Sequence, residues 1–218
     1  MNNSYKIINI GKLPSIMPFG FTFDNLGNLI CTDYSTYPGT IYVFYGISTE
    51  IKNCFESPGN FPQGISVSHD GNLISIDIST NKIYVHDRIS PVILDTFDVP
   101  DNYPNNLEID KKGDLISINY ITNKIYVHDR ISPVVISSYN KLYNEYAVGI
   151  DSNRNLISIN YDVNRILIHD GINYMPLKSY YTPGILITEI VDNPEEDIIF
   201  VDKDNDYDWR LNKITIED

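Results

Sequence analysis

Thr80–Val92 reads TNKIYVHDRISPV, and Thr122–Val134 repeats the same thirteen letters. The residues before each copy also match: GNLISID at Gly71–Asp77 and GDLISIN at Gly113–Asn119. A third copy is NLISIN at Asn155–Asn160, followed by NRILIHD at Asn164–Asp170. A looser early copy is GNLICTD at Gly27–Asp33, followed by TIYV at Thr40–Val43. The most divergent copy is DIIFVD at Asp197–Asp202, followed by KITI at Lys213–Ile216. The anchors Leu29, Leu73, Leu115, Leu156 and Ile198 are spaced by 44, 42, 41 and 42 residues.

Each unit holds four short runs rich in β-branched and aromatic residues, divided by turn residues. In the second unit they are Gly64–Ser68, Asn72–Asp77, Lys82–His86 and Pro91–Phe97. His69-Asp70-Gly71 is a tight hairpin signal, and Ser79-Thr80-Asn81 is a second polar turn. No stretch keeps a 3.6-residue apolar period for three turns, so helices are not expected. Four strands per unit of this length is the signature of a β-propeller blade. Leu73-Ile74-Ser75-Ile76 is nearly apolar on both faces, which suits a strand sandwiched between two sheets. Five copies predict a single all-β domain over residues 1–218, a five-bladed propeller of four-stranded blades. The last unit lacks a fourth strand. Tyr5–Ile10 is a spare β-rich run, expected to pair with Lys213–Glu217 and close the ring.

Composition narrows the function. The 218 residues carry a formal charge of −13, which opposes binding to nucleic acid or to an anionic membrane surface. With 42% hydrophobic and 21% charged residues, the chain has a globular composition. No uninterrupted apolar run is long enough for a spanning helix, and Met1–Lys6 does not open a secretory signal. Cys31 and Cys54 fall on the second and fourth strands of the first unit. That separation of about 9–10 Å across an intervening strand is too long for a disulfide. Free thiols and the missing leader give a cytoplasmic expectation.

The run Gly71–Asp77, then Asn81-Lys82-Ile83-Tyr84-Val85, resembles the NHL repeat: a Gly-Asn, an apolar strand ending in Asp, a turn with Asn, a basic residue and a second apolar strand. The resemblance covers about residues 18–218 and is strongest in units two to four. It implies a propeller and leaves function open, because NHL-like propellers include protein- and RNA-binding modules. Related propellers include gluconolactonase and senescence-marker enzymes and the streptogramin lyases. The gluconolactonase-like enzymes hold a divalent metal at the axial ends of their innermost strands. The matching positions here, placed just before each first strand, are Phe19, Gln63, Asn105, Tyr146 and Pro183. None is a carboxylate, and a hard cation needs anionic oxygen ligands.

His86, His128 and His169 occupy one position in three units. At the end of third strands they should lie roughly 18 Å apart, against about 2 Å for a shared Zn–N bond. They are expected to cap surface hairpins on the rim opposite the binding face. No histidine stands beside a G-x-S-x-G nucleophile, so no catalytic residue is assigned.

Tyrosine numbers 17, with many copies in the expected loops. The loops between blades and those joining second to third strands share one mouth of a propeller. The binding residues expected there are Tyr34, Tyr37, Tyr103, Tyr120, Tyr161 and Trp209, since Tyr and Trp offer rigid contact area with a polar tip. Asp33, Asp77, Asn119, Asn160 and Asp202 close the second strands and are expected to make a repeated turn bond. Asp202, Asp204, Asp206 and Asp208 alternate as in the start of a calcium loop. Tyr207 stands where such a loop has Gly, and Lys213 where it has a bidentate Glu. Calcium is therefore the one cofactor to consider.

The expected function is a non-enzymatic recognition module for a protein or glycan. The alternatives are a small propeller lyase or hydrolase in the streptogramin-lyase or gluconolactonase style, and a structural subunit of a larger assembly. The Ile-, Asn- and Tyr-rich composition suits an AT-rich genome such as a virus's.

Overall fold

A computed structural model describes residues 5–13, 17–119, 121–140, 145–150, 153, 155–160, 165–172, 176–181, 187–192, 198–203 and 209–216. The strand β1 (Tyr5–Lys12) precedes four consecutive four-stranded sheets. The first is β2 (Pro18–Phe23), β3 (Leu29–Asp33), β4 (Thr40–Phe44) and β5 (Ile51–Glu56). The second is β6 (Pro62–Val67), β7 (Leu73–Asp77), β8 (Lys82–His86) and β9 (Ile93–Asp98). The third is β10 (Pro104–Ile109), β11 (Leu115–Asn119), β12 (Lys124–His128) and β13 (Val135–Asn140). The fourth is β14 (Glu145–Ile150), β15 (Leu156–Asn160), β16 (Arg165–His169) and β17 (Pro176–Tyr181). Strands β18 (Ile187–Asp192), β19 (Ile198–Lys203) and β20 (Trp209–Ile216) complete the chain.

The fifth sheet runs β1-β20-β19-β18, so the N-terminal strand supplies its outer member. The pairing is antiparallel, with Tyr5 opposite Ile216 and Lys12 opposite Arg210. The inner strands pack in a cycle: β2 on β6, β6 on β10, β10 on β14, β14 on β18, and β18 back on β2. The protein is an all-β propeller of four-stranded blades. Each sequence anchor (Leu29, Leu73, Leu115, Leu156 and Ile198) is the first residue of its blade's second strand.

Burial explains why the repeat is so apolar there. Every residue of β3, β7, β11 and β15 is buried. Leu73 packs with Ile30, Ile41, Val43 and Ile65 between the first two blades. Ile74 and Ile76 point the other way and join Leu107 and Leu115 between the second and third. One strand thus feeds two inter-blade cores. The outer strands are mostly exposed, as the patterns of β5, β9 and β13 record.

The identical thirteen-residue segments take identical special backbones. Asn81 and Asn123 hold φ of 54° and 59°, and Arg88 and Arg130 hold 56° and 57°. Arg88 Nη1 donates to the Asp70 carbonyl at 2.6 Å, and Arg130 Nη1 donates to the Lys112 carbonyl at the matching place. These guanidinium groups tie the third hairpin of a blade to its first.

The histidines call for a correction. His86, His128 and His169 are 0%, 0% and 1% exposed, so they do not cap hairpins from the surface. Nε2 of each meets a second-strand serine: Ser75 at 2.9 Å, Ser117 at 2.9 Å and Ser158 at 2.8 Å. Nδ1 of His86 meets the Ser90 carbonyl at 2.8 Å, and Nδ1 of His128 meets the Ser132 carbonyl at 2.9 Å. A carbonyl only accepts, so Nδ1 carries the proton and Nε2 accepts from the serine hydroxyl. The ring closes the hairpin from inside. Phe55 and Phe97 of the preceding blades lie 6.2 and 6.4 Å from His86 and His128, which makes the pair part of the inter-blade core.

Cys31 and Cys54 are free thiols, with Tyr42 between them as the register partner of both. Burial first, and the charge of Asp33 second, push the Cys31 thiol well above its ordinary range. Only Cys54 is exposed. We expect one thiol to react quickly with Ellman's reagent in the native protein, with Cys54→Ser abolishing that reaction. Rapid labelling of both thiols would contradict the burial of β3.

Deleting residues 1–12 removes a full antiparallel ladder and bares the edge of β20. A loss on the order of 3–5 kcal/mol in urea unfolding is the expected result, from ladder bonds worth about 1 kcal/mol each. An unchanged midpoint would show that β1 contributes nothing to the seam.

Candidate functional site

The inner strands share a feature that spacing alone did not reveal. In β2 the register steps from Pro18 opposite Asp33 to Phe21 opposite Cys31, so one extra residue is accommodated. The same shift occurs between Pro62 and Ile65, Pro104 and Asn106, Glu145 and Val148, and Ile187 and Glu189. Each blade therefore carries a one-residue bulge at one end of its axial strand. Bulges bend a strand and re-aim a side chain, and they recur beside functional sites.

These bulges hold the expected axial positions. Phe19, Gln63, Asn105 and Tyr146 are each the second residue of an inner strand, inside the strand and not just before it. The fifth equivalent is Thr188, which corrects Pro183; Pro183 lies outside the described residues. Gln63 and Asn105 are each 7% exposed, and Phe19 is half-buried.

The first three inner strands approach very closely here. A Cβ on Gly20 would lie 2.1 Å from the Gln63 carbonyl oxygen, and one on Gly64 would lie 2.5 Å from the Leu107 nitrogen. Only glycine fits at those two places. Thr32 clamps the first junction: its Oγ1 accepts from the Gly20 N–H at 2.8 Å and donates to the Gln63 carbonyl at 2.7 Å.

The two loop sets do share this mouth. The Gly39 N–H of the β3–β4 loop donates to the Gly59 carbonyl of the next linker at 3.1 Å. The Ile78 N–H donates to the Phe61 carbonyl at 3.1 Å, and the Tyr103 N–H donates to Asn81 Oδ1 at 3.1 Å. The strand-end residues make these joints, as the turn-bond reading expects. Asp77 accepts from the Phe61 N–H at 2.8 Å and the Thr80 N–H at 3.0 Å. Asn119 donates to the Asn102 carbonyl at 2.6 Å and accepts from the Thr122 N–H at 2.8 Å. Asp33 accepts from the Ser35 N–H at 2.6 Å.

Tyr34 and Tyr37 come together with Phe19, one of the expected axial positions, and with Phe61, which the sequence did not single out. Phe19 lies 5.9 Å from Tyr34, Tyr34 lies 6.3 Å from Phe61, and Phe61 lies 5.5 Å from Tyr37, edge to face. The four rings run from an axial position to the rim across the junction of the first two blades. Tyr37 is 70% exposed at the outer end. Burial, then the charge of Asp33, raise the Tyr34 phenol above its ordinary range, so it stays neutral. Tyr103 stands apart on the next linker. It is exposed and holds a φ of 64°, a costly backbone for a bulky residue that the bond from Asn81 helps to keep.

Tyr120 and Tyr161 lie outside the described residues, as do Asp204, Asp206 and Asp208. Trp209 opens β20 opposite Lys203, and Asp202 is opposite Arg210. Among the described residues no group of three or more His, Cys, Asp or Glu side chains converges to hold a metal ion. The Ser–His pairs are buried between the blades. No helix among the described residues is long and apolar enough to cross a membrane.

Comparison with known proteins bears on the fold. No protein-family model matches the chain, so the NHL-like pattern rests on the repeat itself. No curated protein matches it in sequence. Solved structures do. The glutaminyl cyclase of Myxococcus xanthus aligns with a TM-score of 0.76 at 12% identity, over 100% of both chains. A catalytically inactive virginiamycin B lyase of Staphylococcus aureus, solved with quinupristin, aligns at 0.59 with 20% identity, over 92% of this chain and 66% of the lyase. The WD40 propeller domain of Doa1 aligns at 0.59 with 16% identity, over 88% of this chain and 62% of that one. At these identities the likeness is one of fold.

Asp77 is 1% exposed and joins two loops of the mouth. Asp77→Ala leaves those N–H groups without their acceptor, and the expected loss is about 2–3 kcal/mol, read by denaturant unfolding. A cost under about 0.5 kcal/mol would assign the joint to other bonds.

The histidines give a pH signature. Burial holds His86 and His128 below the ordinary imidazole range, partly opposed by their bonds to the Ser90 and Ser132 carbonyls. The unfolded chain then binds protons more readily, so stability is full above about pH 6.5 and falls as pH drops toward the folded-state value. The variant His86→Asn, His128→Asn should be less stable at neutral pH. It should also lose less than wild type between about pH 7 and pH 5 in urea titrations. Parallel curves would overturn this assignment.

Proposed function

We propose that the protein is a five-bladed, NHL-like propeller acting as a recognition module, with its ligand seated at the axial mouth on the junction of the first two blades. The observation that carries this reading is the continuous ring path Phe19–Tyr34–Phe61–Tyr37, which starts at a bulge and ends 70% exposed. Aromatic side chains filling only an inter-blade wedge would be covered. A Tyr this exposed, pinned by its neighbours, offers contact area at little entropic cost. Tyr103 extends the same mouth. The bonded Asp and Asn side chains hold the loops that present the rings.

A glycan array and a pull-down analysed by mass spectrometry would identify the ligand class. Tyr34→Ala and Tyr37→Ala should each weaken capture by about thirtyfold, the scale of a 2 kcal/mol hot spot. Arg88→Ala and Lys112→Ala, on the opposite rim, should leave it unchanged. Equal effects from both rims would reject the assignment of the face.

A second reading, a small propeller enzyme, is favoured by the full-length alignment with a glutaminyl cyclase. Its test is incubation with a peptide bearing N-terminal glutamine, followed by mass spectrometry. Turnover by wild type that Tyr34→Ala abolishes would replace the recognition reading.

A further inference from the structure

The outer strands β9 and β13 follow the two identical segments and occupy equivalent places in their blades. His86 is opposite Ile93 and His128 is opposite Val135. That aligns Ile93-Leu94-Asp95-Thr96-Phe97-Asp98 with Val135-Ile136-Ser137-Ser138-Tyr139-Asn140. The apolar positions stay apolar or aromatic, but both carboxylates are gone. Ser137 stands for Asp95 and Asn140 for Asp98. Lys82 pairs with Asp98 at 2.9 Å, whereas Lys124 faces the neutral Asn140.

Charge is one of the devices that keep an exposed strand edge from pairing with another chain. β13 is the last strand of its sheet, with its outer edge unpaired among the described residues. Val134 and Ile136 are 57% and 58% exposed. Tyr139 is 36% exposed, where its counterpart Phe97 is buried. The other outer strands carry Lys6 and Lys12 on β1, Lys52 and Glu56 on β5, Asp95 and Asp98 on β9, and Lys178 on β17. β13 carries no charge, on a chain whose net charge of −13 otherwise keeps copies apart.

The pattern along β13 is also complementary to itself. A strand that pairs antiparallel with its own copy does so about a two-fold axis. With the axis at Ser137, Val135 meets Tyr139, Ile136 meets Ser138 and Ser137 meets Ser137. Aromatic with β-branched, and hydroxyl with hydroxyl, are favourable cross-strand pairs. The same operation on β9 sets Asp95 against Asp95, and like charges directly opposite destabilise a ladder.

We propose that two copies of this chain associate through β13, edge to edge and antiparallel about Ser137, joining two four-stranded blades into one continuous sheet. The association does not depend on what the axial mouth binds. A strand of this length spans about 20 Å, so the contact falls at the low end of the interface range and the dimer dissociates on dilution.

Sedimentation equilibrium of the full chain should show the mass rising from 24.9 kDa toward twice that value between about 1 and 200 µM. Ser137→Asp installs the residue that the second blade already holds there, so it should melt near wild type yet stay monomeric. Ile136→Lys should do the same, while Leu94→Lys at the equivalent place on β9 should leave the association unchanged. In a Cys54→Ser background, Ser137→Cys should cross-link into a covalent dimer on mild oxidation, because directly opposite Cα atoms lie within disulfide reach. Ser138→Cys, about 8 Å from its own copy, should not. A monomer at every concentration, a dimer unmoved by Ser137→Asp, or one lost equally with Leu94→Lys would overturn the proposal. Equal cross-linking at both positions would overturn the register about Ser137. A wild type that stays monomeric yet binds an unrelated extended peptide, with Ser137→Asp abolishing that binding, would put a foreign strand on this edge and overturn the dimer.

Discussion

A strand that is apolar on both faces can be satisfied only by a sheet on either side, and this requirement organises the molecule. β3, β7, β11 and β15 are buried at every position. Leu73 serves one neighbouring blade while Ile74 and Ile76 serve the other, so no blade can complete its core alone. A row of such sheets leaves an unfilled core at each end. Bending the row into a ring removes both ends at once, and the cycle from β2 through β6, β10, β14 and β18 back to β2 does so. The N-terminal strand then has a defined task. It completes the sheet that packs between the fourth and the first blades.

The same constraint explains where polar residues could enter the interior. Ser75, Ser117 and Ser158 lie mid-strand among isoleucines, and each is 2% exposed or less. A buried hydroxyl must be bonded, and the histidine closing the third strand meets that need. In the second and third blades serine, histidine and hairpin carbonyl form one unit, and the fourth repeats its serine–histidine bond. That is why the histidine returns at a fixed offset from LIS. The regular recurrence that suggests a metal centre is a recurrence of the core.

The architecture was legible because it is periodic. The anchors located each second strand, and the DG and TN turns located the hairpins. The mouth was legible only in part. Tyr34 and Tyr37 stood out as loop aromatics, whereas Phe61 sits in a linker and Phe19 opens an inner strand, and neither varies from an ordinary core residue in type. Their meeting depends on blades 42 to 44 residues apart becoming neighbours. The bulges were hidden for a simpler reason. One extra residue per inner strand leaves composition and repeat length untouched, and only the register exposes it. A hint was available in Gly20 and Gly64, since paired glycines inside apolar strands signal a bulge or a close backbone approach.

Divergence among the blades says where the constraint relaxes. The second strands and the histidine hairpins are held nearly letter for letter in the middle copies, because each is packed from two sides. The bulge residues are Phe19, Gln63, Asn105, Tyr146 and Thr188, and no two are alike. Five equivalent backbone positions carry five different side chains. Packing alone would favour one solution at each equivalent place, as it does for Leu at four of the five anchors. The second positions of the inner strands are thus asymmetric in sequence on a symmetric frame, and it is there, not in the twice-packed second strands, that one blade differs most from the next.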